Sequence, residues 1–310
     1  TLVRIDCDPG IDDCVALAIA SASQDLLDIR GISAVSGNLG NKIVTENALR
    51  IASYFGMNQI PVVSGAKSPL LRKVENAASI HGKSGLGNYE LPETDKQLTS
   101  DNALLYIRNV LLELPENQKM VLVPIGPLTN IALLIKTFPE VIKKIEKLVL
   151  MGGSLSGGNV TKEAEFNIWA DPEAAKIVFD SELSIVMCGL DVTGKCGLTR
   201  EHVQILHTSE SPKQKALGEM LQFYFDTFMY RDSTLVNIHD AVALLYLTNP
   251  LLFKGNEEYI DVDCTHGLKR GKTFVCSEDT ENLTKKKVLV LNEVDLEAFQ
   301  KIFMDILKKL

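Results

Sequence analysis

Short apolar runs alternate with segments of helical periodicity along most of this chain. Residues 2–7 form the first run, and Asp12-Asp13 then open a segment whose Val15, Leu17, Ala18 and Ile19 predict a buried helix. Acidic residues in a first turn suit the helix dipole, so that start is locally consistent. The alternation goes on with a strand over 29–35, a helix over 41–55 and a strand over 61–63. It resumes with a helix over 101–114, a strand over 120–125, a helix over 128–137 and a strand over 148–151. A Gly/Asn-rich loop follows, then a helix over 172–179 whose Asp171-Pro172 start supplies cap and first turn. A strand over 184–187 precedes a mainly helical stretch, 199–230, and an apolar helix runs from His239-Asp240 to Leu247. Strands near 258–264, 272–276 and 286–291 and an amphipathic helix over 295–309 complete the series.

Such alternation implies an α/β fold, with a mainly parallel central sheet covered by helices on both faces. No repeat, low-complexity segment or linker interrupts it, so one domain over residues 1–310 is the simplest organisation. Residues 66–100 break the rhythm with a long excursion rich in Gly, Ser and Asn. Stretches of that kind within a compact domain are usually functional or mobile. Ligands of open parallel sheets bind outside the carboxyl ends of the strands. The polar residues just past those ends are therefore the suspects: Asp6 and Asp8, Ser36 to Asn38, Thr129 and Asn130, Gly152 to Asn159, and Asp191.

Composition narrows the choice. Hydrophobic residues make up 45% and charged residues 23%, ordinary for a globular enzyme, and the formal charge is −8. That balance argues against nucleic acid or an anionic membrane as partner and suits a neutral or cationic ligand or a divalent metal. No run approaches the roughly 18 apolar residues of a membrane span. No secretory signal is visible, although the lack of an initiator Met leaves a removed leader open. The six cysteines form no C-x-x-C pair and read as reduced thiols of a cytoplasmic protein.

Asp6-Cys7-Asp8-Pro9-Gly10-Ile11-Asp12-Asp13 places four carboxylates in eight residues. Asp6 and Asp8 point to one face of a strand, and Pro9-Gly10 can turn Asp12 and Asp13 back toward Asp8. Crowded carboxylates repel unless protonated or neutralised, and an all-oxygen set favours a hard cation such as Ca²⁺ or Mg²⁺. A solvated acidic helix start is the bland reading, and four acids around a Pro-Gly turn at a strand's carboxyl end exceed it. From spacing alone His239 reads equally as a structural side chain or a proton donor, and Asp240 as an N-cap or a distant metal ligand. Asn159, Glu165 and Asn167 offer a set of sugar-binding groups that alone would pass for a polar loop. His81-Gly82, with Gly85 and Gly87, could form a flap. The aromatic run Phe223, Tyr224, Phe225, Phe228 and Tyr230 fits core packing first and a base-stacking wall second.

The first motif resembles that of the inosine–uridine-preferring nucleoside hydrolases. Gly37-Asn38, Ile80-His81-Gly82, Gly126-Pro127-Leu128-Thr129-Asn130, Met151-Gly152-Gly153, Ala164-Glu165-Phe166-Asn167 and Ile238-His239-Asp240 follow in the family's order. The resemblance implies a single α/β domain with a Rossmann-like core that hydrolyses the N-glycosidic bond of ribonucleosides. It implies Ca²⁺ held by Asp8, Asp13, Asp240 and the carbonyl of Thr129, with the ribose diol completing the shell. Asp12, Asn38, Asn159, Glu165 and Asn167 would grip the ribose. Asp8 would activate a metal-bound water to attack the anomeric carbon, and His239 would protonate the leaving base, with His81 nearby on the flap. A homodimer or homotetramer is implied as well. Two other classes compete. A haloacid-dehalogenase-like phosphatase would use Asp6-x-Asp8, but Pro9-Gly10 departs from its pattern and no later Lys and acidic pair matches. A non-catalytic nucleoside- or calcium-binding protein would bind without turnover.

Overall fold

Val3, Ile5 and Cys7 are fully buried, and Arg4 between them is buried too, so the first strand has no solvent face. Strands of that kind belong in the middle of a parallel sheet. The computed structural model, which describes residues 1–87, 89–227, 233–277 and 285–310, has this strand there. The strands are, in chain order, β1 (Leu2–Cys7), β2 (Asp28–Ala34), β3 (Val62–Ser64), β4 (Met120–Pro124), β5 (Ile145–Met151), β6 (Ile185–Cys188), β7 (Gly197–Thr199), β8 (Leu235–Asn237), β9 (Phe253–Glu258), β10 (Ile260–Val262), β11 (Thr273–Val275) and β12 (Val288–Val294). Eight of them form one sheet in the order β3-β2-β1-β4-β5-β6-β12-β9. Every neighbouring pair in it is parallel except β12 with β9. The two small antiparallel pairs β10–β11 and β7–β8 lie outside it.

The helices are α1 (Ile11–Ala22), α2 (Asn41–Tyr54), α3 (Ala78–His81), α4 (Ala103–Leu112), α5 (Thr129–Thr137), α6 (Phe166–Ala170), α7 (Pro172–Phe179), α8 (Leu190–Thr193), α9 (Arg200–His207), α10 (Pro212–Asp226), α11 (Ala241–Thr248) and α12 (Leu296–Leu307). Side chains alternate across the sheet with period two. Val121, Val123, Val149 and Met151 join one core with α1, α2, α10, α11 and α12. Met120, Leu122, Leu148 and Leu150 join the other with α4, α5 and α7. Helix α1 is buried at every position from Ile11 to Ala20, because α2, α10, α11 and α12 all pack on it. A helix apolar all round can be stable only in such a place.

The expected α/β class and mainly parallel sheet with helices on both faces hold. Asp171 caps α7 as its sequence suggests, accepting from the Ala174 amide. Three features differ from expectation. β9 was not anticipated, because it is an edge strand whose Lys254, Asn256 and Glu257 face solvent. The five-residue α6 and the small β7–β8 pair lie in connections for which no regular element is expected. Within 66–100, α3 and a single bridge from Ser100 to Val63 are the only regular structure among the described residues.

Candidate active site

The first carboxylates meet through the Pro9-Gly10 turn. Asp13 Oδ1 accepts from the Asp8 amide at 3.1 Å, and its Oδ2 accepts from the Gly10 amide at 2.9 Å. Asn38, on the loop after β2, braces the pair. Its backbone N–H donates to Asp8 Oδ2 at 2.6 Å, and its side-chain amide donates to the Asp8 carbonyl and Asp13 Oδ2. Two glycines leave room for this. A Cβ on Gly37 would lie 2.1 Å from Asp8 Oδ2, and one on Gly126 would lie 2.5 Å from Asp8 Oδ1.

Asp240 reaches the same point from the far end of the chain, since α1 packs against α11. It stands at the start of α11 without capping it by its side chain. Asp12, Asp13 and Asp240 each bring a carboxylate oxygen within 4.8 Å of the others, and all three are buried. Desolvation, followed by the charge of Asp13, holds the Asp8 carboxyl well above the ordinary range. Burial and the charge of Asp12 push Asp13 up to about 7. Burial and the charges of Asp12, Asp13 and Asp8 raise Asp240 strongly. Asp8 Oδ1 is buried with no hydrogen-bond partner. Crowded, desolvated oxygens with one orphan acceptor fit a hard divalent cation, which would relieve the repulsion that otherwise requires protons.

Around this cluster opens a cavity of about 360 Å³. Its buried floor carries Asp12, Asn38, His81, Glu165, Asn167 and Asp240, while Glu75, Asn76, Ser79, Asn159 and Val160 form an exposed mouth. Glu165 caps α6, its carboxylate accepting from the Asn167, Ile168 and Gly153 amides. Burial still raises it to about 7. Asn167 is aimed by the ends of β4 and β5, donating to the Ile125 and Met151 carbonyls at 3.0 and 3.1 Å. Asn159 Oδ1 accepts from the Phe166 amide at 2.9 Å. His239 Nδ1 lies 2.8 Å from Thr193 Oγ1, and desolvation pushes its imidazole down while Asp12 opposes that. His81 docks on the start of α1. Its Nδ1 accepts from the Ile11 amide at 3.1 Å and lies 3.0 Å from the Tyr224 hydroxyl, which also reaches Asp12 Oδ1 at 3.1 Å.

Thr129 is not brought to this site. It opens α5, so its carbonyl points along the helix, and its hydroxyl donates to Asp171 Oδ2 at 2.7 Å. Ile125, four residues earlier and directly after β4, lines the cavity instead. Asp6 also stays apart. It is buried beneath the site with Ser33 and Asn130, and burial raises it to about 6. In the aromatic run, Tyr224 lines the cavity, Phe225 is in the core and Phe223 abuts Gly87; Phe228 and Tyr230 lie outside the described residues. Ile125, Thr193, Trp169 and the Tyr224 hydroxyl are site features that sequence reasoning missed. Only Ile125, directly after a strand's carboxyl end, carried a usable signal.

A family profile described as inosine-uridine preferring nucleoside hydrolase matches residues 3–301. The non-specific ribonucleoside hydrolase RihC of Escherichia fergusonii is 39% identical over 312 residues, covering 99% of this chain and 98% of its own. Among solved structures, the plant nucleoside hydrolase PpNRh1 superposes with a TM-score of 0.91 at 29% identity, covering 99% of this chain and 98% of that one. The purine-preferring ribonucleoside hydrolase from Gardnerella vaginalis superposes with a TM-score of 0.90 at 30% identity, over the same shares.

Proposed function

The chain belongs to the inosine–uridine-preferring nucleoside hydrolase family, and on that premise we propose how its site works. It is an enzyme that hydrolyses ribonucleosides to free base and ribose. The observation that carries the mechanism is the convergence of Asp240 with Asp12 and Asp13 on one buried point beside the orphan Asp8 oxygen. Asp8, Asp13 and Asp240 would hold Ca²⁺ there, and the backbone carbonyl of Ile125, a residue that lines the cavity, would supply the ligand first expected of Thr129. When bound, that cation neutralises the carboxylates, binds vicinal hydroxyls and lowers the pKa of water.

The remaining work falls to the chain's own groups. Asp12, Asn38, Asn159, Glu165 and Asn167 hydrogen-bond the ribose. Cleavage of the C–N bond builds oxocarbenium character at the anomeric carbon, which fixed carboxylates and amides stabilise best when preorganised. Their backbone anchors supply that fixity, as with Glu165 on three amides. His239 delivers a proton to the leaving base, and Asp8 takes the proton of the attacking water. His81 and Tyr224 hold Asp12 from the flap side. We also assign a cytoplasmic location, supported by six free thiols, and a homodimer or homotetramer, which sedimentation tests. Among the described residues no helix is long and apolar enough to cross a membrane.

The direct test follows free base and ribose from inosine, guanosine, adenosine, uridine and cytidine, with and without a chelator able to strip a tight site. Base release without any need for phosphate, abolished by the chelator and restored by Ca²⁺, is expected. Turnover that survives rigorous chelation would overturn the metal assignment. Gly126→Ala tests the cradle of Asp8. The new methyl must push the Asp8 carboxylate aside, and displacements near 1 Å cost about 10²-fold in rate. Such a loss, with an unchanged far-ultraviolet spectrum, is the expected outcome.

A further inference from the structure

The mouth of the cavity is assembled from three separate segments, and two arginines tie them together. Arg72, from the 66–100 excursion, pairs with Glu173 on α7 and donates to the Cys264 carbonyl. Arg270, from the connection between β10 and β11, lies over the Trp169 ring with its guanidinium carbon 4.0 Å from the centroid. Its Nε donates to the Trp169 carbonyl at 2.9 Å and its Nη2 to the Ala170 carbonyl at 3.4 Å. That leaves Nη1, which donates to Glu75 Oε1 at 2.8 Å. The Arg270 side chain is 12% exposed and that of Glu75 is 50% exposed, so the carboxylate is the outer cap of a shielded guanidinium. Glu75 and Trp169 both line the cavity. No lysine or arginine is among the described residues of its wall.

A guanidinium is always charged, and its fork matches a phosphate as well as a carboxylate. Here the face of the fork that could meet a phosphate is covered. An ion pair whose carboxylate is half-exposed to water adds little to stability, so stability gives little reason for the pair. Its position gives one. With a ribose diol on the acidic floor, the rest of a riboside has only the mouth to extend into, and Glu75 lines that mouth.

We propose that Glu75 is a specificity-determining residue that, by capping Arg270, makes the site reject ribosides carrying a 5′-phosphate. The inference rests on the ribonucleoside reading of the site. Removing the cap takes one negative charge away from a phosphate of charge near −2 and uncovers the guanidinium. At the distances of a cavity mouth this is worth about tenfold in affinity.

Calorimetry on the Ca²⁺-loaded protein with ribose and ribose 5-phosphate tests it. The unaltered protein is expected to bind ribose 5-phosphate more weakly than ribose. Glu75→Ala narrows the gap about tenfold and Glu75→Gln less, and raising salt to about 0.5 M shrinks the gain. The double variant Glu75→Ala with Arg270→Met loses the gain. An unchanged ratio in both single variants, or a gain that persists without Arg270, overturns the proposal. Base release from inosine by the unaltered protein is scored separately. Its absence beside a shifted sugar ratio sinks the hydrolase reading alone, whereas failure to bind either sugar sinks both.

Discussion

Asp240→Asn is expected to lower kcat for inosine by about 10³-fold or more, because several kcal/mol of transition-state stabilisation disappear with the cation. The substitution keeps the shape of the side chain and removes one charge from the cluster. Its second effect has the opposite sign. Asp13 titrates near 7 in the folded chain, and Asp8 and Asp240 are raised strongly as well. In the unfolded chain an aspartate titrates at about 3.9. Between those values the folded state binds more protons than the unfolded one, so stability falls as pH rises. The metal-free protein should therefore melt at progressively lower temperature from about pH 4 through 7. Ca²⁺ should flatten that decline in the unaltered protein. Asp240→Asn should show a shallower decline without Ca²⁺ and little response to it. A full Ca²⁺ response in the variant would remove Asp240 from the metal site.

His239→Ala is expected to slow inosine hydrolysis by about 10²–10⁴-fold, the usual contribution of a positioned acid. Hypoxanthine leaves poorly without a proton, whereas p-nitrophenolate leaves readily without one. The same substitution should therefore barely affect p-nitrophenyl riboside. An acid must carry its proton to act, and desolvation pushes the His239 imidazole below its usual value. The inosine rate of the unaltered enzyme should thus fall as pH climbs past that lowered pKa, and the nitrophenyl rate should show no such limb. Equal slowing of both substrates by His239→Ala would reject His239 as the donor.

Much of this was legible in the sequence because the sheet is buried on both faces. Unbroken apolar runs such as Val121-Leu122-Val123 can be little else in a strand–helix series. β9 was hidden by the same logic, since an edge strand pairs on one side only and keeps polar residues on its open face. The acidic turn was legible because Asp8 and Asp13 are sequence neighbours. Asp240 was ambiguous, because a helix start that caps itself and one that aims a carboxylate elsewhere read alike. Ile125 was passed over for Thr129, which does not line the cavity, because a backbone carbonyl leaves no trace in residue type. What decides it is where β4 ends and α5 begins, and boundaries are the least readable feature of a sequence. The Tyr224 hydroxyl was missed because helical periodicity marks the ring as buried and says nothing of its polar tip.

The packing of α1 against α11 also bears on biosynthesis. The acidic turn leaves the ribosome well before its counterpart, since Asp240 follows Asp13 by 227 residues. A cation site that needs carboxylates from both segments can be completed only after this long-range docking, at the closing stage of folding.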